Sequence, residues 1–381
     1  MHIESFDAGN ISRLPRAIGD SCEPGRAYIS SLVRNGPTPY VENADVRMDA
    51  LLIDGKVLPL VINKGRLGNS NVCSPCAHYV EYALHEFSKR ARILNRLASA
   101  LAFPLGTVLN SGLVERVVYV NNWLLSTNPN HGLSPGQVDA VSRHLRDRHP
   151  DSAIVFRSIN PVSDPSGMKA LTTNGYRLVP SRTVYMLDTR VGRNLAHANT
   201  REDLRKLKNT AFSIVDTPEA LASHVGRMTE LYRALYLGKH SLLNPQFTDE
   251  FFRMTLENGF LSYRALIEDG RVAGFMNFFV DEGMLTGVGI GYDLNRPRKL
   301  ALYRLAFAVL IAEAAKLRLI ANLSAGKGEF KMLRGAVPVQ EYDALYDGHL
   351  PPYRRFAWRF LEVLARIGAI ASRRLHPRPS R

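Results

Sequence analysis

The stretch NLSAGKGEFKMLRGA, Asn322 to Ala336, gathers side chains that move protons and hold anions. It supplies an amide (Asn322), a hydroxyl (Ser324), a carboxylate (Glu329) and an ammonium (Lys331). A cation there holds a carboxylate or phosphate or steadies a leaving group, and a carboxylate takes the proton of an attacking amine. Just upstream, Arg296, Arg298 and Lys299 precede a long apolar run. If that run is a helix, they stand at its N-terminus, where free amides and the helix dipole favour an anion and cationic side chains add charge-assisted hydrogen bonds. Gly287, Gly289 and Gly291 alternate in GVGIGYD, which in a strand bares one backbone face to a ligand or to another chain. A main-chain donor on such a face would act like an oxyanion hole. Asp293 is a second candidate base, His240 titrates near neutral pH when unperturbed, and Tyr342 is a candidate acid. Each has an ordinary structural reading too: a solvated basic turn, a helix packed on the glycines, a loop cap, a surface histidine.

Pattern and turn chemistry give the elements that would position these groups. VRMDALLIDGKVLPLVINKG reads as two strands around the Asp54-Gly55 turn. Tyr82 to Ala102 carries apolar residues at helical spacing, and ERVVYVNNWLLS returns to strand. Ser134 and Pro135 open a helix running to about Arg148, followed by the strand SAIVFRSI. A short helix then stops at Asn174-Gly175 before the strand VPSRTVYMLD. The second half repeats this order: the hairpin SYRALIEDGRVAGFMNFFVDEG, the strand MLTGVGIGYD and a helix from about Leu300 to Leu319. LIANLSAG follows as a strand, GEFKMLRG as a short helix and VPVQEYDALYD as a closing strand. Aligning the halves brings Gly175 onto Gly335, the mark of an internal repeat of whole domains. The expected borders are 1–190, 191–350 and a C-terminal segment 351–381, an amphipathic helix from Tyr353 to Ala371 expected to dock on the second domain, with a membrane-surface role as the alternative.

Composition narrows the class. The 381 residues suit two domains, and 45% hydrophobic with 22% charged is ordinary for a folded protein. A formal charge of +14 favours phosphate-bearing or acidic partners without choosing among them. No helix-turn-helix or zinc-finger spacing points to DNA. The N-terminus lacks the apolar core of a secretory signal, and Leu300 to Leu317 is interrupted by Arg304, Glu313 and Lys316, so no transmembrane segment and a cytoplasmic location are expected. Three cysteines (Cys22, Cys73, Cys76) argue against a disulfide framework. The Cys73-Ser74-Pro75-Cys76 spacing, with His78 nearby but no second ligand pair, reads as a structural loop rather than a dithiol or zinc site.

The order of elements resembles the GNAT N-acyltransferase fold, twice over nearly the whole chain. This implies a mixed-sheet α/β fold of two GNAT-like domains in tandem. Such tandem copies are similar to the Fem-type peptidoglycan aminoacyltransferases and to the BioF2-like acetyltransferase group, whose Ser-x-Gly…Phe/Tyr-Lys…Gly pattern SAGKGEFKMLRGA resembles. KALTTNGYRLVPSRTVYMLD is similar to the ordinary end of a GNAT domain. Where the family's Q/R-x-x-G-x-G/A pyrophosphate loop belongs, RPRKLA keeps the first arginine without the glycines. NHGLSPGQ in the first half has Gly132 and Gly136 without a leading Arg or Gln. The family's thiolate-protonating tyrosine falls on Lys331 and on Leu171.

The resemblance implies N-acyl transfer, by direct attack, from an acyl-CoA or acyl-carrier-protein thioester to a small-molecule amine, with no metal. Arg296, Arg298, Lys299, Gly289, Asn322 and Ser324 would bind the donor, and Glu329, Lys331, Asp293 and His240 would serve catalysis. Two alternatives stay open. One is an aminoacyltransferase that uses aminoacyl-tRNA, with the basic surface guiding the RNA. The other is a degenerate GNAT module that binds a nucleotide or protein without catalysis. The first domain, with Asn121, Asn122 and Trp123 at the corresponding place, reads as structural, so the site is expected in the second.

Overall fold

The structure is a computed structural model and describes residues 1–15, 23–81, 109 and 112–375. It forms two compact units, the first of residues 1–182, 241–246 and 341–375, the second of residues 183–240 and 247–340 among those described.

The first unit holds β1 (Ile3–Phe6), α1 (Glu23–Asn35), β2 (Arg47–Ile53), β3 (Lys56–Lys64), β4 (Arg116–Val120), α2 (Pro135–Arg148), β5 (Ala153–Ile159) and α3 (Pro165–Thr173). The start of β6 (Arg177–Asp188), the end of β12 (Val337–Tyr346) and α9 (Pro352–Leu375) complete it. Asp54 and Gly55 both take positive φ, which turns the β2–β3 hairpin with the twist of its strands. Ser134 accepts from the Gln137 amide while the Gln137 side chain accepts from the Ser134 amide, a capping box that starts α2. Val118, Val120, Ile154 and Phe156 then pack against Val138, Val141 and Leu145 of α2 and Leu171 of α3. β4 and β5 are parallel, and β5 is followed in the sheet by β12, antiparallel through Tyr342↔Ile159 and Leu345↔Val155.

In the second unit the sheet order is β12, β6, β11 (Ile320–Asn322), β10 (Met284–Tyr292), β9 (Arg271–Asp281), β8 (Ser262–Glu268), β7 (Ser213–Val215). Helices α4 (Ala198–Lys208), α5 (Val225–Arg233), α6 (Asp249–Glu257), α7 (Leu302–Leu317) and the one-turn α8 (Gly328–Met332) belong to it. Helix α7 is apolar nearly all round because it is sandwiched. Phe307, Leu310 and Ile311 meet Leu285 and Ile290 of β10, while Leu305 and Val309 meet Phe212 and Leu266. A buried carboxylate ties three helical elements together: Asp203 on α4 accepts from Arg304 on α7 at 2.6 Å and from Arg334, just past α8, at 2.6 Å.

The elements match the sequence pattern closely, with four differences. The expected strand over ERVVYVNNWLLS stops at Val120, because Asn121 and Leu124 take left-handed φ and the chain turns away. The expected strand LIANLSAG shrinks to Ile320–Asn322 for the same reason at Ser324. The expected borders at 190 and 350 separate sequence repeats, whereas the compact units divide at 182/183 and 340/341 inside β6 and β12. The last strand of each repeat is the cause: the end of β12 bonds to β5, and the end of β6 bonds to β11. Helix α9 packs in the first unit, not the second as expected, because buried Arg354 donates to the carbonyls of Gly112 and Leu113. The helix expected over Tyr82 to Ala102 lies outside the described residues.

Cys73 and Cys76 are free and buried, and burial pushes the Cys73 thiol up to about 12, which suits packing rather than redox exchange. Among the described residues no three His, Cys, Asp or Glu side chains cluster as metal ligands, and no helix is long and apolar enough to cross a membrane.

The exchange of closing strands makes a testable statement about fragments. A fragment of residues 1–190 leaves β5 without its β12 neighbour and the first unit without α9. It is expected to lack a cooperative thermal transition by circular dichroism, whereas the full chain shows one.

Candidate functional site

The second unit's sheet opens in its middle. β10 and β11 pair in parallel over Met284↔Ile320, Leu285↔Ala321 and Thr286↔Asn322, and there β11 ends while β10 runs on to Tyr292. Past that point the two chains follow different neighbours. β10 stays on β9, with a bulge between Gly287 and Gly289. The chain after β11 stays with β6, the Leu323 amide donating to Tyr185 O at 2.8 Å and the Tyr185 amide to Ser324 O at 3.2 Å. The β10 edge from the bulge onward therefore faces a wedge, and its main-chain groups on that side have no strand partner among the described residues. A strand edge of this sort is a template for another extended chain bearing amides.

The loop 322–327 bounds the wedge. The Asn322 side chain accepts from the Ser324 amide at 2.9 Å, which fixes the first turn. Ser324, Gly326 and Lys327 all take positive φ, a compact path that the chain does not keep without support. Lys331 supplies it: buried at 1% exposure, its ammonium donates to Ser324 O at 3.0 Å and Ala325 O at 2.7 Å, and lies 5.5 Å from the ring centres of both Tyr185 and Phe307. Lys331, expected to act on the substrate, is found bonded to the loop carbonyls.

Tyr185 was not singled out by sequence reasoning because its place in β6 reads as an ordinary core position. Its hydroxyl sits so close to α8 that a Cβ on Gly328 would overlap it. The hydroxyl makes no hydrogen bond among the described residues, and burial raises its pKa, keeping the proton on. The glycine in GKGEF was the available signal of that close approach. Glu329 follows directly; it is exposed and free of hydrogen bonds and ion pairs among the described residues. The Ser324 hydroxyl is likewise unengaged.

At the far end of the wedge stands the N-terminus of α7. Ala301, its capping residue, has left-handed φ of 53° and no side-chain acceptor, so no side chain among the described residues caps the first-turn amides. Arg298 and Lys299 beside it are exposed and unpaired among the described residues. Arg296, expected to join them, is held by Glu268 on β8. Between this end and α8 runs a half-buried aromatic wall: Tyr303 lies 4.9 Å from Phe330, 4.9 Å from Phe307 and 5.8 Å from Tyr292.

The remaining expected residues have other occupations. Asp293 accepts from the Arg227 guanidinium at 2.7 Å and from the Asn295 amide at 3.0 Å, so it caps its loop instead of standing as a free base. His240 ends the helical turn Ala234–His240 beside Tyr236, with ring centres 6.3 Å apart. The space over Gly289 is taken by Asn277, whose Oδ1 lies 2.9 Å from where a Cβ would stand. Leu310 covers Gly287, and Phe275 with Leu231 covers Gly291. The alternating glycines thus admit protein side chains, and what they leave for a ligand is the unpaired main-chain edge.

In the first unit the corresponding place is filled. Beyond Val120 the chain folds back on itself: Trp123 donates to Asn121 Oδ1 at 2.8 Å, Asn121 to Pro129 O at 2.6 Å and Asn122 to Val72 O at 2.7 Å. Arg157 is buried there and donates to Val72 O at 3.0 Å. Asn121, Asn122 and Trp123 seal the position they were expected to line.

The sequence matches no family model and no curated protein. Among solved structures the chain is similar to FemX, with TM-score 0.52 and 10% identity over 94% of this chain and 100% of that one. A tandem GNAT protein from the clavulanic acid biosynthesis pathway gives TM-score 0.39 and 12% identity over 92% of this chain and 99% of that one. L-PGS from Bacillus licheniformis gives 0.43 and 15% over 60% and 77%. At 10% identity the likeness to FemX is one of fold.

The brace is directly testable. Lys331→Met removes the donor to two loop carbonyls, an expected loss of about 1–3 kcal/mol. Hydrogen exchange should speed at Tyr185 and Ser324 while the β8–β9 hairpin stays protected.

Proposed function

On the premise of a Fem/BioF2-like tandem GNAT fold, we propose that the second unit is an N-acyltransferase that moves an acyl group from a thioester donor, acyl-CoA or acyl-carrier protein, to an amine. The observation that carries the reading is the wedge beyond Thr286↔Asn322, with an unpaired strand edge along one side and an uncapped, cation-flanked helix N-terminus at its end. An extended donor arm bearing amides fits the edge, and its phosphate end fits the first turn of α7 with Arg298 and Lys299.

In this reading the residues divide the work. Main-chain donors of the β10 edge orient the thioester carbonyl and meet the negative charge that develops on its oxygen. Glu329 takes the proton as the amine nitrogen bonds to the carbonyl carbon. The carbon–sulfur bond then breaks, and the Tyr185 hydroxyl gives its proton to the departing sulfur, regaining one from solvent. Tyr185 thereby does from β6 what the family resemblance places on the short helix, where this chain has Lys331. The aromatic wall of Tyr292, Tyr303 and Phe330 keeps the acyl group out of water.

The test joins donor binding to turnover. Purified protein is screened by thermal shift against acetyl-CoA, longer acyl-CoAs, an acyl-carrier protein and total tRNA, then assayed for thiol release with amines. Stabilisation by a thioester is expected, with KM for the donor raised about tenfold or more in Arg298→Ala/Lys299→Ala. Tyr185→Phe and Glu329→Gln are expected to lower kcat by roughly 10²-fold. A response to tRNA alone moves the reading to aminoacyl transfer, and turnover unaffected by both Tyr185→Phe and Glu329→Gln overturns the assignment of the acid and base.

A further inference from the structure

Helix α9 has two apolar faces, and among the described residues only one is packed in the fold. The inner face, with Arg354, Ala357, Trp358, Leu361 and Glu362, is buried in the first unit. Glu362, its one acidic residue, is consumed there by Arg177 at 2.9 Å and by Arg366 at 2.8 Å. The docking of an amphipathic helix on a core explains that face completely. It leaves unexplained a second apolar stripe on the outside: Phe356 (65% exposed), Val363, Ile367 (60%) and Ile370, at spacings of seven, four and three residues. Those spacings set the four side chains on one side of a helix.

Charge says what the stripe faces. Arg355 and Arg359, four residues apart, form an exposed rail along one flank of it, and Arg366 continues its line while pairing with Glu362. Glu362, the one acidic side chain of α9, is buried and held by Arg177 and Arg366, which leaves Arg355 and Arg359 without an acidic partner on the helix. In sequence, residues 371–381 add Arg373, Arg374, Arg378 and Arg381 and no acid. A row of guanidinium groups beside aliphatic and aromatic side chains suits the boundary between anionic headgroups and acyl chains, with the arginines at headgroup level and the stripe just below. A nucleic acid would use the rail and leave Val363, Ile367 and Ile370 in water. We propose that the outer face of α9 is a docking surface for an anionic lipid bilayer, along which the helix lies in the plane of the interface.

The inference stands on α9 alone and holds whatever the second unit transfers. The full chain is floated with vesicles of phosphatidylcholine and with vesicles of three parts phosphatidylcholine to one part phosphatidylglycerol. Flotation with the second and not the first is expected, weakening at high salt. Phe356→Gln/Ile367→Gln and Arg355→Glu/Arg359→Glu should each reduce the bound fraction at least about fivefold. Melting curves check that each fold is kept, and Val363→Ser/Ile370→Ser serves as an independent stripe variant. Failure to float with anionic vesicles overturns the proposal. So does flotation that both stripe variants retain, since that is adhesion by net charge alone, and so does binding of total tRNA weakened by the rail variant with vesicles unbound.

Discussion

The candidate site of the second unit depends on one buried cation. An ammonium without water is costly unless its donors are met, and Lys331 meets two of them with the carbonyls of Ser324 and Ala325 while the faces of Tyr185 and Phe307 lie beside it. Ser324 O also accepts from the Tyr185 amide, so the lysine fixes the loop at its last bond to β6. By drawing the loop toward α8, the lysine keeps it on the β6 side and lets β10 part from it. Arg334 anchors the other end of the same short helix to Asp203, so a five-residue helix that could not stand alone is fixed at both ends.

The two units show how one arrangement of strands can be open or shut. Each has a parallel pair joined through a helix, and in each the pair parts after a few residues. The second unit follows its parting with a glycine-bearing bulge and an unpaired edge. The first fills the equivalent place with Asn121, Asn122, Trp123 and Asn128, whose side chains satisfy the turning backbone from within. Each amide side chain there both donates and accepts, so the plug needs no ligand to meet its polar groups. The contrast supports assigning chemistry to the second unit.

Much of this was legible in the sequence. The Asp54-Gly55 hairpin, the Ser134-Pro135 helix start and the stop at Asn174-Gly175 are local signals, and local signals carry through. Glu329 and Ser324 were recognisable as polar groups after a strand end, and they do stand free in the structure. What did not show was partnership at a distance. Nothing near Asp293 announces Arg227, nothing near Arg296 announces Glu268, and Lys331 gives no sign that its target is the loop six residues earlier. Tyr185 was hidden because hydrophobic alternation treats a strand tyrosine as core, and the glycines of β10 advertised close approach without saying whose. For α9 the sequence left docking and a membrane-surface role as alternatives for one helix: periodicity shows that a helix is amphipathic, but burial decides which of its faces is already occupied.

The placement of the closing strands bears on how the chain is made as well as on how it stands. β5 is complete early in synthesis, yet its neighbour Tyr342–Tyr346 is translated almost two hundred residues later. Until then the β5 edge waits unpaired on a nascent chain, at a stage when edge strands recruit wrong partners. Closing so long a loop adds little to equilibrium stability but raises contact order, which slows folding. The first half therefore cannot finish as an autonomous folding unit on the ribosome, and the last strand to emerge completes the first sheet begun.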